Sequence, residues 1–192
     1  MSRDLLRSPR FHELLLQIDR DFADRARQAG CPCGAALHSA TYPRKPRGVV
    51  ISEPEPRRLS FCCARDGCRR RVTPASVRFL GRRVYAGGVV VLAATMSSGI
   101  TPYRAARLRE LFGVGRDTLA RWRKWWREAF VKTPFWRIAR ARLSSPIAPE
   151  ELPACLLARF LGEDLMIQLV GLLRFIAPIT TGPDGAGSLM AV

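Results

Sequence analysis

Five of the six cysteines fall in two knots, Cys31-Pro32-Cys33-Gly34 and Phe61-Cys62-Cys63-Ala64-Arg65-Asp66-Gly67-Cys68, with a Pro- and Arg-rich loop between them. Such knots can present thiolates from two short turns, which is how a structural zinc ion collects four tetrahedral ligands. Gly34 and Gly67 suit turns in which the backbone must come close to sulfur. The expected ligands are Cys31, Cys33, Cys63 and Cys68, closing a structural Zn2+ site on all four sides. Cys62 is a buried neighbour or a substitute ligand, and His38 is a second substitute. Disulfides, a redox pair and metal-free core thiols are the competing readings. Nothing in the sequence suggests export, which weighs against disulfides. The first knot, C-x-C in place of the usual C-x2-C, also lacks the βαβ setting of a redox pair. Zinc is the preferred reading.

The second chemistry is cationic. The formal net charge is +16, from 32 basic and 16 acidic side chains, and the excess is localised. Residues 30–84 carry twelve basic and three acidic groups, and residues 101–142 carry the same numbers. Residues 143–192 carry two basic and five acidic groups. Two basic blocks between near-neutral or acidic ends form an electrostatic footprint for a polyanion. Within the first block, Arg44, Lys45 and Arg47 lie on a Pro-stiffened loop, and Arg69, Arg70 and Arg71 follow the last cysteine, where they suit phosphate contacts. A solvated charge run is the plain alternative for both.

These groups need elements to hold them. Apolar positions Phe11, Leu14, Leu15, Ile18, Phe22 and Ala26 predict a helix over 8–29, started by Ser8-Pro9 and stopped by Gly30. Its opposite face, alternating Arg and Asp, reads as solvated, and its task as covering the small zinc module. Short strands are expected at Leu37–Tyr42, Val49–Ser52 and Arg58–Cys62. Residues 85–100 carry no charge, and Val89–Met96 reads as a buried helix broken by Ser97-Ser98-Gly99.

Thr101-Pro102 then starts a helix bearing Ala105, Leu108, Leu111 and Phe112. After the tight turn Gly113-Val114-Gly115, a helix is predicted over Arg116–Phe130, with Leu119, Trp122, Trp126 and Phe130 inward. This is helix-turn-helix grammar. The second helix would offer Arg116, Asp117, Thr118 and Arg121 to base edges, and Lys124 is a further nucleic-acid contact on the same face. A plain helical hairpin is the alternative. A basic helix at Phe135–Leu143, a turn through Ser144–Pro149, short helices at Ala154–Leu161 and Asp164–Ile176, and a tail at Gly182–Ser188 complete the chain. Cys155 reads as a small core residue.

The expected fold is mainly α with a small β zinc ribbon. Its divisions are 1–84 (helix and ribbon), 85–143 (helix-turn-helix), 144–181 (C-terminal helices) and 182–192 (tail). The motifs Cys31-x-Cys33-Gly34, Phe61-x-Cys63-x4-Cys68-Arg69-x-Arg71 and Gly113–Trp122 resemble the DNA-binding front end of bacterial insertion-element transposases and their accessory proteins. The resemblance covers roughly residues 31–130. It implies that the ribbon and the second helix recognise element-end DNA. The family's RNase H-like catalytic domain has no counterpart here, because Glu150, Glu151, Glu163 and Asp164 are adjacent pairs poorly placed for two metals.

The chain is therefore expected to be a non-enzymatic, zinc-stabilised binder of double-stranded DNA, either a transposon accessory factor or a transcriptional regulator. An RNA-binding or ribosome-associated zinc-ribbon protein is the alternative. The C-terminal helices are expected to serve a homodimer or a mobile-element partner. The N-terminus lacks a secretory h-region and no apolar run is long enough to span a membrane, so a cytoplasmic, nucleoid-associated location is expected.

Overall fold

The computed structural model describes residues 2–44, 56–80, 86–96, 101–162 and 164–181. It is mostly helical, with a small antiparallel sheet beside the cysteines. Helix α1 (Ser2–Arg7) leads into α2 (Pro9–Ala29). The α2 signals act as the sequence suggests: the Ser8 hydroxyl accepts from the Phe11 N–H at 3.4 Å, Pro9 opens the helix, and Gly30 leaves it at φ 71°. The two halves of α2 serve different ends. Phe11, Leu15 and Ile18 enter the main core, whereas Ala23 packs with Cys31, Leu37, Phe61 and Cys63 in a small cluster of its own.

The strands are short. In the three-stranded sheet, β4 (Phe61–Cys63) lies between β1 (Leu37–Ser39) and β5 (Arg71–Val72). A separate pair joins β2 (Tyr42–Pro43) to β3 (Arg57–Arg58). Lys45, Arg47, the expected strand Val49–Ser52, the expected break at Ser97–Gly99 and the tail lie outside the described residues.

Helix α3 (Gly87–Met96) is the centre of the molecule, touched by α1, α4, α5, α7 and α8. Val89, Val90, Val91 and Ala93 are completely buried. A helix surrounded on all sides has no polar face to keep, which accounts for the missing charge. A Cβ on Gly87 would meet the Val77 carbonyl oxygen at 2.9 Å, and one on Gly88 would meet Leu6 at 3.0 Å. The backbone of α3 thus lies almost against its neighbours. Gly87→Ala is expected to destabilise the fold by about 1–3 kcal/mol through overpacking, measured by denaturant titration.

Helix α4 (Pro102–Phe112), the turn with Gly113 at φ 63°, and α5 (Arg116–Lys124) follow. Leu108, Phe112, Val114, Leu119 and Trp122 are buried, as the apolar spacing predicts. The expected helix to Phe130 is corrected. It passes at Trp125–Ala129 into a π-helical turn, where the Phe130 N–H donates to Trp125 O five residues back, and ends in a 3-10 turn at Phe130–Lys132. Such widening turns the successive side chains relative to an α-helix. Trp125 thereby joins Trp126 and Phe130, with ring centroids 4.8 and 5.6 Å away.

Helix α6 (Pro134–Ala139) is capped by Thr133 and is followed by a 3-10 turn at Arg140–Arg142. Helix α7 is only Ala154–Leu157, shorter than the spacing predicts, and Cys155 on it is half-buried. Helix α8 (Leu165–Ile176) starts at its Asp164 cap. Residues from Leu6 to Ala177 share the main core. No described helix is long and apolar enough to cross a membrane.

Candidate metal centre

The ligand atoms of Cys31, Cys33, Cys63 and Cys68 lie within 4.8 Å of one another, and together they can hold one metal ion. Two short turns deliver them. In the first, the Gly34 N–H donates to Cys31 O at 2.7 Å and the Cys31 N–H to Ala35 O at 3.2 Å, with Gly34 at φ 81°. In the second, the Cys68 N–H donates to Arg65 O at 3.1 Å, and Gly67 takes φ 84°. The sheet clamps the turns to each other: Leu37 pairs with Cys63, and the Cys63 N–H donates to Arg70 O at 2.9 Å.

The distances separate a disulfide from a cluster that can hold an ion. Cys31 Sγ lies 3.8 Å from Cys68 Sγ, and Cys33 Sγ lies 3.5 Å from Cys63 Sγ. A disulfide would place its sulfurs about 2.05 Å apart. A tetrahedron with metal–sulfur bonds of about 2.3 Å has sulfur–sulfur edges of about 3.8 Å. The observed pairs match the tetrahedron, and all six cysteines are free thiols.

The thiols differ electrostatically. The backbone N–H of Ala35, then the Cys63 thiol, lower Cys33 to about 6. Burial raises Cys63 to about 12, opposed by the Arg65 N–H, which donates to Cys63 Sγ at 3.4 Å. Amide hydrogens aimed at sulfur stabilise thiolate, so one knuckle is prepared for ligation before any ion arrives.

The C-x-C spacing therefore reaches the same cluster as a longer loop would. Cys62 and His38 stay outside it. They pair across β1 and β4 on the other face of the sheet, where strand alternation puts them. Cys62 is half-buried with its Sγ 3.5 Å from Arg69 O, and His38 is exposed.

The cationic residues fall in separate groups. Arg69, Arg70 and Arg71 are exposed beside the second turn, and Arg69 adopts φ 44°. Arg69 pairs with Asp66 at 2.6 Å, and Arg71 lies over the Tyr42 ring with its guanidinium carbon 5.6 Å from the centroid. Arg44 is half-buried, and its N–H donates to Pro56 O at 2.7 Å. On α5, Arg116, Asp117, Arg121 and Lys124 are exposed and Thr118 is half-buried. Arg121 donates to the Thr118 hydroxyl at 3.1 Å, and Lys124 lies 3.8 Å from Glu128.

Sequence reasoning missed one polar site altogether. Asp19, assigned to a solvated face, is 1% exposed. Its carboxylate accepts from the Ser76 hydroxyl (2.7 Å), the Val77 N–H (2.8 Å) and Arg78 Nε (3.0 Å), and Arg78 is itself buried. Ser76 N–H donates to the Thr180 hydroxyl at 2.9 Å, and Arg78 donates to Arg57 O at 2.7 Å. This lattice joins α2, the segment after the cysteines and the C-terminal turn. Buried Arg58 donates to Pro74 O beside it, and loss of solvent lowers the Arg58 pKa. One signal was present: Asp19 lies four residues from both Leu15 and Ala23, inside the apolar arc.

Comparison with protein-family models, with curated proteins and with solved structures finds no match for this chain. Its chemistry rests on its own residues.

Proposed function

We propose that the chain is a non-enzymatic, zinc-stabilised DNA-binding protein, a transposon-associated accessory factor or a transcriptional regulator. In this reading, Cys31, Cys33, Cys63 and Cys68 hold a structural Zn2+, because an all-thiolate tetrahedron suits that ion. The α4–turn–α5 unit acts as a helix-turn-helix, with α5 in the major groove.

The observation that supports DNA binding most is the division of α5. Leu119 and Trp122 are buried, while Arg116, Asp117, Arg121 and Lys124 face solvent from its other side. Arginine can bond guanine O6 and N7 together, and Asp117 can accept from a cytosine amino group. Thr118 already holds one arm of Arg121. Gly115 starts α5 without a side-chain cap, leaving first-turn amides to a phosphate. Arg69, Arg70 and Arg71 then serve the backbone as sequence-independent contacts.

Selection from a random duplex pool with zinc-loaded protein at near-physiological salt should enrich one motif. Arg116→Ala with Arg121→Ala should remove about 1–3 kcal/mol of discrimination at each contacted base. Alanine at Arg69, Arg70 and Arg71 should instead weaken binding to every sequence and flatten its salt dependence. Failure to enrich any duplex, together with preference for structured RNA, would replace this reading with an RNA-binding one.

A further inference from the structure

We propose that the chain pairs with a second copy of itself through antiparallel α8 helices, with Asp164 of each copy meeting Arg174 of the other across an apolar stripe at Ile167 and Val170. Single exposed apolar residues are ordinary on a protein surface. Here Leu161 and Ile167 lie on either side of the Gly162 backbone. Leu161 is 92% exposed and Ile167 is 53% exposed. A Cβ on Gly162 would lie 2.9 Å from Ile167, so the Leu161–Gly162 backbone rests against that side chain. Ile167, half-buried Val170 and exposed Arg174 are spaced three and four residues apart on one face. The opposite face is used up, because Leu169, Leu172, Leu173 and Ile176 are buried in the core.

Charge selects the occupant. Asp164 Oδ1 accepts from the Met166 N–H at 2.9 Å, which leaves its second oxygen without a partner among the described residues. Arg174 is exposed and has no ion-pair partner among them. The two stand at opposite ends of the helix, about 15 Å apart at 1.5 Å per residue. A face that is acidic at one end, basic at the other and apolar between is its own complement under a two-fold axis, as an isologous interface requires. Antiparallel packing also sets the helix dipoles head to tail. Duplex DNA is a poor occupant, since residues 143–192 hold five acidic groups against two basic ones. One helix pair is smaller than a standard interface of about 1,600 Å2, so the dimer is weak and depends on protein concentration.

Sedimentation equilibrium of the full zinc-loaded chain, without nucleic acid, tests the pairing separately from DNA binding. Wild type should show a monomer–dimer equilibrium, and Ile167→Glu, at an exposed position, should be monomeric with an unchanged circular dichroism spectrum. Arg174→Glu should raise the dimer Kd roughly tenfold or more. Adding Asp164→Lys to that variant should bring the Kd back toward wild type, which a merely apolar contact would not do. A wild-type monomer at every soluble concentration overturns the proposal and leaves the stripe to a different partner. An Ile167→Glu dimer as tight as wild type, or a double reversal that keeps the wild-type circular dichroism and is no tighter than Arg174→Glu, overturns it equally.

Discussion

Stripping the ion from the zinc-loaded protein is expected to abolish the specific DNA binding proposed above while most of the helical circular dichroism survives. The sheet around the cysteines has only a small apolar core of its own. Its buried apolar residues are Ala23, Cys31, Leu37, Phe61 and Cys63, and two of those five belong to the four-cysteine group. So small a core does not fold on area alone. In small zinc peptides, metal binding supplies about 10–16 kcal/mol of what is in effect folding energy. Without it, β5 and the Arg69–Arg71 run lose the backbone frame that Cys63 and Cys68 provide. The main core has its own contacts and should remain. Cys63→Ser should reproduce the effect of a chelator. Acidification should also release the ion, because protons compete with it for the thiolates. Amide exchange at β1, β4 and β5 before and after chelation is the direct check. Protection that does not change would remove the metal from the account of the fold.

Asp19→Ala is expected to produce the opposite pattern, a global loss. The substitution takes the Asp19 carboxylate away from buried Arg78, 5% exposed, and from the Ser76 hydroxyl and the Val77 N–H as well. Removing one partner of a buried pair costs about 3–5 kcal/mol. Typical domain stability is about 5–15 kcal/mol, so much of the folded population is at stake. The midpoint of urea unfolding should fall sharply while the denaturant slope stays as it was. A midpoint shift equivalent to less than about 1 kcal/mol would mean that water replaces the carboxylate without penalty. The two experiments separate local metal dependence from a polar lattice that holds the whole molecule together.

The four-cysteine cluster was legible because ligand chemistry is written in residue type and spacing. Four cysteines in two knots, each with a glycine for its turn, define the cluster with little help from the rest of the chain. What selects Cys63 over Cys62 is the pleat of β4, and the sequence reveals that only once the strand register is known. The buried helix at Val89–Met96 was also legible, from apolar residues without a charged face. Asp19 was not, because it sits in an Arg/Asp alternation that resembles a solvated surface, and its partners lie 57 to 59 residues away. Nor was the π-helical turn at Trp125–Ala129. The helical spacing of Trp122, Trp126 and Phe130 is satisfied either way, and packing among the rings separates the two.

The glycines and valines of α3 have a consequence for how the molecule comes into being. Gly87, Gly88, Val89, Val90 and Val91 are among the weaker helix formers, so this segment has little tendency to coil by itself. It becomes helical when neighbours enclose it, and α7 and α8 are among them. The Ser76–Thr180 hydrogen bond likewise spans 104 residues and needs the C-terminal turn in place. During synthesis the cysteine-bearing region emerges well before the helices that complete the core. An apolar, chargeless stretch then waits for its enclosure while the ribosome is still at work. In such a nascent chain the stretch stays uncovered on one side until α7 and α8, its C-terminal neighbours, have been made.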